Sequence, residues 1–553
     1  MSYHSHSIIS TYRYMKTKLI VLSLLATAIA GNAAVKLPAV LSDGVILQRN
    51  QPVKIWGIAS PGETVNVKIG KQKGTAVADA SGNWLVTLKP FKAGGPYTLT
   101  ANDVTVSDVL FGDLYLGSGQ SNMELPVSRT LDFYADEVAN YNNGNIREFK
   151  TPKEYAFHGP QKDVKATPWK KAIPEDAKQF GALVYFMAKD LYEHNGHVPV
   201  GIVNSSWGGS KIQTWLSEEA LQDYPVLLNS LRMVEDDDYR AALSKAQQRG
   251  QSLWYGVANN RELGNTGTLR WNAPALDDSD WQEYDLLSTE WGKRHDGSAI
   301  NGIHWLRRHF DLPASQTGKP AELRLGCIVD ADSVFINGKF VGWTAYQYPP
   351  RIYKVPEGLL KEKDNIIAIR VQSNYGAPHV VSDKPHKLIF DDKSEYSLEG
   401  TWKHRIGIEM PSTPGANDWF QTPSVLYNGM IAPMLHLPFR GVVWYQGESD
   451  IDIRNQYKGL MKSLVKDWRK QFNDPDMPFY IVELADFLHE SDANGRKAWQ
   501  EMRDAQRLVA DETPRVYFIR NGDIGEWNDI HPRDKKTPGT RVSAAIQATP
   551  ISR

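Results

Sequence analysis

Asp108-Val109-Leu110-Phe111-Gly112-Asp113-Leu114-Tyr115-Leu116 reads as a strand that stops abruptly at Gly117-Ser118-Gly119-Gln120-Ser121-Asn122-Met123-Glu124. A serine on a tight strand-to-helix turn can present its hydroxyl at the end of a sheet. Backbone N–H groups at the helix N-terminus there can hold a developing oxyanion. The same residues also read as a plain helix start, with Ser121 as cap and Glu124, three residues on, completing a capping box. The stretch alone leaves both readings open. Deciding between them requires a base, an orienting acid and further oxyanion donors elsewhere in the chain.

Upstream, short alternating runs such as Val53-Lys54-Ile55-Trp56 and Thr64-Val65-Asn66-Val67-Lys68-Ile69 are broken by Ser60-Pro61-Gly62 and Gly94-Gly95-Pro96. Period-two patterning with turns at this spacing predicts a small β-sandwich over 34–107. Downstream, a helix-period run at 180–193 precedes the apolar strand Val198–Asn204, which opens into Ser205-Ser206-Trp207-Gly208-Gly209-Ser210. Strand–helix alternation predicts a parallel sheet covered by helices, whose strand C-terminal ends are where ligands sit. The texture turns to β again over 266–405, with Asn337-Gly338 as a hairpin signal. From 406 the α/β pattern resumes. Strands are expected at 440–445, 479–484 and 515–519, and helices at 457–472 and 498–509. The predicted class is α/β, divided into 34–107, a core in two parts (108–265 and 406–553), and an inserted β block (266–405).

A chain of 553 residues is too long for one core, and its net charge of −1 gives no sign of a nucleic-acid or polyanion partner. Its 17 tryptophans and 24 tyrosines suit sugar-stacking surfaces and β-sandwich cores equally. Residues 1–33 read as a secretory signal peptide: Lys16 and Lys18, the apolar run Leu19–Ala30, then cleavage after Ala33. Residues 1–14 read as an upstream extension, with Met15 as the start. That run is too short to span a bilayer. The single Cys327 excludes an internal disulfide. The expected setting is bacterial and exported: periplasmic, or secreted to the surface or medium.

Four strand-end segments carry the polar residues: Gly119-Gln120-Ser121-Asn122-Met123, Asn204-Ser205-Ser206-Trp207-Gly208-Gly209, Trp444-Tyr445-Gln446-Gly447-Glu448-Ser449-Asp450, and Asn528-Asp529-Ile530-His531-Pro532. Together they resemble the SGNH (GDSL-like) hydrolases, in particular the sialate O-acetylesterase group. Weaker matches lie at Asp467-Trp468-Arg469 and over Trp499–Gln506. The resemblance runs from about Leu37 to the C-terminus. It implies a three-layer α/β/α core and a galactose-binding-like jelly roll as the inserted domain. It also implies ester hydrolysis through an acyl-serine intermediate, without metal or cofactor. Ser121 would be the nucleophile and His531 the base. The oxyanion would be held by the N–H groups of Ser121 and Gly208 and by the amide of Gln446. The acid is displaced from the family position, which Asn528 occupies. Asp529 is the next candidate, Glu448 and Asp523 are alternatives, and a Ser–His dyad is a fourth.

The favoured substrate, by resemblance, is an O-acetylated sialic acid; the resemblance suggests the 9-O-acetyl form, and the sequence itself leaves the acetyl position open. Acetylated xylan or xyloglucan is the runner-up. A carbohydrate-binding protein with a decayed hydrolase site is the rival from another class. His158, His194, His197 and His436 show no metal-ligand spacing, and His304 and His309 read as structural. Arg454 and Trp215 read either as sugar-site lining or as ordinary loop and core residues. The resemblance also implies more chain after the histidine than is present here. Pro550 is expected to break any helix begun near Arg541, so the second core part reads as truncated.

Overall fold

The structure, a computed structural model, describes residues 35–549 apart from Asp383 and Asn528. The expected signal peptide, the displaced-acid position 528 and Pro550 lie outside the described residues.

Six parallel strands form the central sheet, in the order Val516–Ile519, Phe479–Val482, Gly441–Tyr445, Val104–Gly119, Val200–Ser206 and Asn143–Lys150. A short antiparallel strand, Lys170–Ala172, closes the last edge. Every residue of Val200–Ser206, Gly441–Tyr445 and Phe479–Val482 is buried, so this sheet is covered on both faces. The helices that cover it pack in pairs, Ala182–His194 with Lys536–Ala548 and Arg454–Gln471 with Ala493–Glu512. The last helix therefore begins at Lys536, before the expected Arg541, with Pro538 accommodated in its first turn.

The Val104–Gly119 strand is longer than the sequence pattern suggests. Its first half pairs with Gly94–Ala101 and Ile46–Gln48 of the N-terminal unit, and its second half enters the parallel sheet. The boundary expected between 107 and 108 thus falls inside one continuous strand. Asp108 marks the junction with a φ of 55°, and its carboxylate pairs with Arg147 and Lys171. One hydrophobic core runs from the N-terminal strands into the parallel sheet.

Residues 266–405 fold into a six-stranded antiparallel sheet and a four-stranded one. Leu306, Val334 and Ile369 of the first share a core with Leu323 and Leu388 of the second. One strand of this unit, Thr401–Glu409, runs past the expected boundary at 405. The opposite face of the larger sheet packs through Trp305 onto Trp254 and Ala258 of the long helix Asp237–Arg261. No described helix is long and apolar enough to cross a membrane.

Candidate active site

The central strand ends at Gly119, whose φ of 132° and close approach to the next strand admit no side chain. A Cβ there would lie 2.1 Å from the Tyr445 carbonyl oxygen. The chain then turns into a four-residue helix, Ser121–Glu124. Gln120 is the residue before it and makes no side-chain cap. The capping-box reading is not realised, because the Glu124 carboxylate accepts from the Gly208 N–H (2.7 Å) and pairs with Lys153 (2.7 Å). The Ser121 hydroxyl makes no hydrogen bond to any described residue. Its N–H opens the helical turn and has no intrahelical partner.

Ser121 and His531 line the same cleft, of about 550 Å³, at the C-terminal end of the parallel sheet. The opposite rim comes from the inserted unit, as Tyr346 and Tyr348, which are 55% and 42% exposed. The Tyr348 ring meets the His531 imidazole edge-on, with centroids 5.1 Å apart. A hollow of similar size between the N-terminal strands and the core, lined by Trp56, Trp84 and His436, brings together no such nucleophile and base.

Two of the three expected oxyanion donors already carry protein partners. Gly208 lies against Ser121, where an added Cβ would be 3.3 Å from the serine Cβ, but its N–H is already committed to Glu124. Gln446 is fully buried and outside the cleft. Its Nε2 donates to the Ser210 carbonyl (3.1 Å) and to Asp450 (2.6 Å), while its Oε1 accepts from the Tyr457 hydroxyl (3.0 Å). A side chain so saturated has no donor left for substrate. The amide that does line the cleft belongs to Gln120. Its Oε1 accepts from the N–H groups of Gly447 (3.3 Å) and Ser449 (3.2 Å), which fixes the orientation of the amide. Its Nε2 bonds to no described residue.

None of the described acids makes a hydrogen bond to the His531 imidazole. The imidazole Nδ1 is buried without a partner, 3.9 Å from Asp529 Oδ1. That oxygen accepts instead from the His531 N–H (2.9 Å), and Asp529 Oδ2 lies 3.5 Å from Lys384 of the inserted unit. Lys384 also bonds Glu526. Asp523 forms a two-pronged pair with Arg541 at the surface and is no orienting acid. Glu448 lines the cleft, and one of its oxygens accepts from Asn122 (2.6 Å) while the other is buried and unpartnered. Burial raises its carboxyl above the ordinary range.

Burial, and then the cations Lys535 and Arg129, push the His531 imidazole down to about 3, so it is neutral and able to accept a proton. Lys535 escaped the sequence reading because it sits in a charged run, Arg533-Asp534-Lys535-Lys536, that resembles a solvated face. It is fully buried instead, donating to Asn122 Oδ1 (2.6 Å) with its Nζ 5.5 Å from the Tyr445 ring centre. Burial lowers it to about 7. Asn122 thereby joins Lys535 to Glu448 directly beneath the serine turn. It also donates to the Ile530 carbonyl (2.9 Å), which ties that turn to the histidine loop.

Arg454 and Trp215 lie outside the cleft. Arg454 pairs with Glu501 on the surface, and Trp215 is buried against Trp444. His304 and His404 face each other inside the inserted unit (3.0 Å). No described group of three or more His, Cys, Asp or Glu residues could hold a metal. Cys327 is buried, and its thiol, pushed up to about 11, donates to the Tyr348 carbonyl.

The chain is similar to known carbohydrate esterases in sequence and in fold. Residues 111–254 and 401–537 match the family model described as carbohydrate esterase, sialic acid-specific acetylesterase; the unmatched interval covers most of the inserted unit. A sialate O-acetylesterase of Mus musculus is 21% identical over 89% of this chain and 69% of its own length. That of Homo sapiens is 29% identical over 33% of this chain and 39% of its own. Among solved structures, a carbohydrate acetylesterase from Xanthomonas citri superposes with a TM-score of 0.54 at 24% identity. It covers 93% of this chain and 74% of the other, and this likeness concerns the fold.

Proposed function

Because this chain belongs to the carbohydrate esterase family of sialic acid-specific acetylesterases, and is therefore a carboxylic ester hydrolase, we propose that it removes O-acetyl groups from sugar hydroxyls, with sialic acid as the sugar, through an acyl-enzyme on Ser121. The observation that carries this reading is the unbonded Ser121 hydroxyl in one cleft with a neutral histidine.

In this reading His531 takes the Ser121 proton as Oγ attacks the acetyl carbonyl carbon. The negative charge gathering on the carbonyl oxygen is met by the Ser121 N–H and by Gln120 Nε2, which replaces Gln446 in that role. The Gly208 N–H joins them only when Glu124 releases it. The C–O bond to the sugar then breaks, His531 returns the proton to the leaving alkoxide, and water repeats the sequence to free acetate. Asp529 is the orienting acid, because its carboxylate is the one that lies 3.9 Å from Nδ1. Two features support an exported enzyme with accessory β units: the leader-like residues 1–33 and the two antiparallel sheets around a shared core, which fit a jelly roll over 266–405. The strands of 34–107 fit a β-sandwich.

Replacing the nucleophile tests the mechanism. Ser121→Ala is expected to lower kcat for p-nitrophenyl acetate and for O-acetylated sialic acid by about 10⁴-fold or more while leaving the thermal midpoint nearly unchanged. Surviving activity would exclude Ser121. Acetate release from acetylated xylan and xyloglucan, run beside O-acetylated sialic acid, separates the two substrate classes.

A further inference from the structure

One charged group in the cleft wall has no charged partner among the described residues. Of the charged side chains lining it, Lys153 and Glu124 neutralise each other at 2.7 Å, and the Glu124 carboxylate also holds the Gly208 N–H. Glu448 is taken up by Asn122 within the same buried network as Lys535. Arg129 remains. It ends the short turn Val127–Arg129, eight positions after the serine, and is half-buried in the cleft wall. Its guanidinium has no carboxylate within ion-pairing distance among the described residues. Its one hydrogen-bond contact among the described residues is the Tyr348 carbonyl, at 3.5 Å, which is too long to satisfy it. The protein has thus placed a planar, permanently charged fork with unused donors in the wall that holds the nucleophile and base.

Resting on the esterase reading above, we infer that Arg129 is a specificity-determining residue that anchors the carboxylate of an acidic sugar, so that the substrate is an O-acetylated sugar acid of the sialate type and not a neutral acetylated polysaccharide. A guanidinium and a carboxylate match in shape as well as charge, through two parallel N–H···O bonds. A neutral xylan or xyloglucan unit offers that fork only hydroxyls and leaves the cation uncompensated in a half-buried wall. The exposed rings of Tyr346 and Tyr348 border the same cleft and supply an apolar face for the rest of the sugar. Arg129 also lies near enough to His531 to depress its basicity. A bound carboxylate would offset that cation at the moment the base is needed.

The test compares an O-acetylated sialic acid with its methyl ester, both read by acetate release. The ester keeps the sugar and the acetyl group and removes only the charge. The wild-type enzyme is expected to prefer the free acid by about 10–100-fold in kcat/KM, through KM, as a charged hydrogen-bonded pair implies. Arg129→Gln should bring that preference to about one, with Arg129→Lys retaining part of it. A wild-type preference near one overturns the inference, and so does an equal loss on both substrates in Arg129→Gln. Faster cleavage of acetylated xylo-oligosaccharides than of the free acid overturns it too, while leaving the esterase reading intact. A wild-type enzyme that cleaves neither these substrates nor p-nitrophenyl acetate defeats the esterase reading itself. Should Arg129→Gln fail to fold, the wild-type acid-to-ester ratio alone still decides.

Discussion

Gln120 and Gln446 are the same residue type, each one position past the end of its strand. The strands are neighbours in the parallel sheet, with Gly119 paired to Tyr445. Their fates are opposite. Gln446 turns inward, where Ser210, Asp450 and Tyr457 take every donor and acceptor it has. Gln120 stays at the cleft, its oxygen clamped by the N–H groups of Gly447 and Ser449 and its nitrogen unclaimed by any described residue. The closed strand end thus serves the open one. The loop after Gln446, with Gly447 at a φ of 152°, holds the oxygen of the Gln120 amide. A strand-end amide is a catalytic candidate only when half of it is held and half is free.

The sharpest way to break this contrast is to truncate each glutamine. Gln120→Leu is expected to lower kcat by about 10²–10³-fold with little change in thermal midpoint, the cost of one oxyanion donor. Gln446→Leu should instead take the side-chain donor from the Ser210 carbonyl and from the buried Asp450 carboxylate, which keeps the Ile212 N–H, and lower stability by about 2–4 kcal/mol, with a smaller effect on kcat in the protein that remains folded. If Gln446→Leu shows the larger loss of kcat at unchanged midpoint, the roles are reversed.

A smaller effect separates the acids. Asp529→Asn is expected to lower kcat by about tenfold or more, because it removes the charge beside Nδ1, whereas Glu448→Gln keeps an acceptor for Asn122 and should change kcat less. The opposite ranking of kcat values would move the orienting role to Glu448.

The smallest effect is on the pH dependence of stability, and it has opposite signs at the two strand ends. Asp450, beneath Gln446, is raised by burial to about 6. The folded state therefore binds the extra proton between about 4 and 6, and this carboxyl weakens stability as pH rises through that window. His531, in the cleft, is lowered to about 3. There the unfolded chain binds the extra proton, so stability is present above about 6.5 and is lost as pH falls toward 3. Each group contributes at most about 1.4 kcal/mol per pH unit. Urea unfolding at pH 7.5, 6.0 and 4.5 should show a shallower acid loss in His531→Gln than in the wild type and a steeper one in Asp450→Asn. Parallel curves for all three proteins would remove the contrast.

Much of the architecture was legible because it depends on local pattern. The run ending at Gly119, the helix at 182–194 and the strands near 441, 479 and 516 follow from periodicity and glycine placement. The serine turn was legible for the same reason. The split between the two glutamines was not, because side-chain direction beyond a strand end depends on partners such as Tyr457 and the backbone around Gly447. Lys384, Tyr348 and Arg129 were invisible for a different reason. Tyr348 and Arg129 reach the cleft, and Lys384 reaches Asp529, through tertiary placement, and nothing in the chain neighbourhood of any of them distinguishes it from a surface residue. The continuity of the strand across 107–108 was hidden because a residue with a left-handed φ, Asp108, interrupts the pattern of a strand without ending it.

The central strand also has a consequence for the order in which the molecule can be assembled. Its neighbour on one side, Gly441–Tyr445, emerges only after the whole inserted unit, and the Asn122–Glu448 bond beneath the serine spans 326 positions. Until then the half-sheet of 104–119, 143–150 and 200–206 carries a bare, apolar edge of the kind that recruits other chains. The inserted sheets contain their own short-range pairings, and once closed they shorten the distance the growing chain must bridge. A lesion in the inserted unit would therefore appear first as lost yield of soluble protein during synthesis, before any defect in turnover by the molecules that matured.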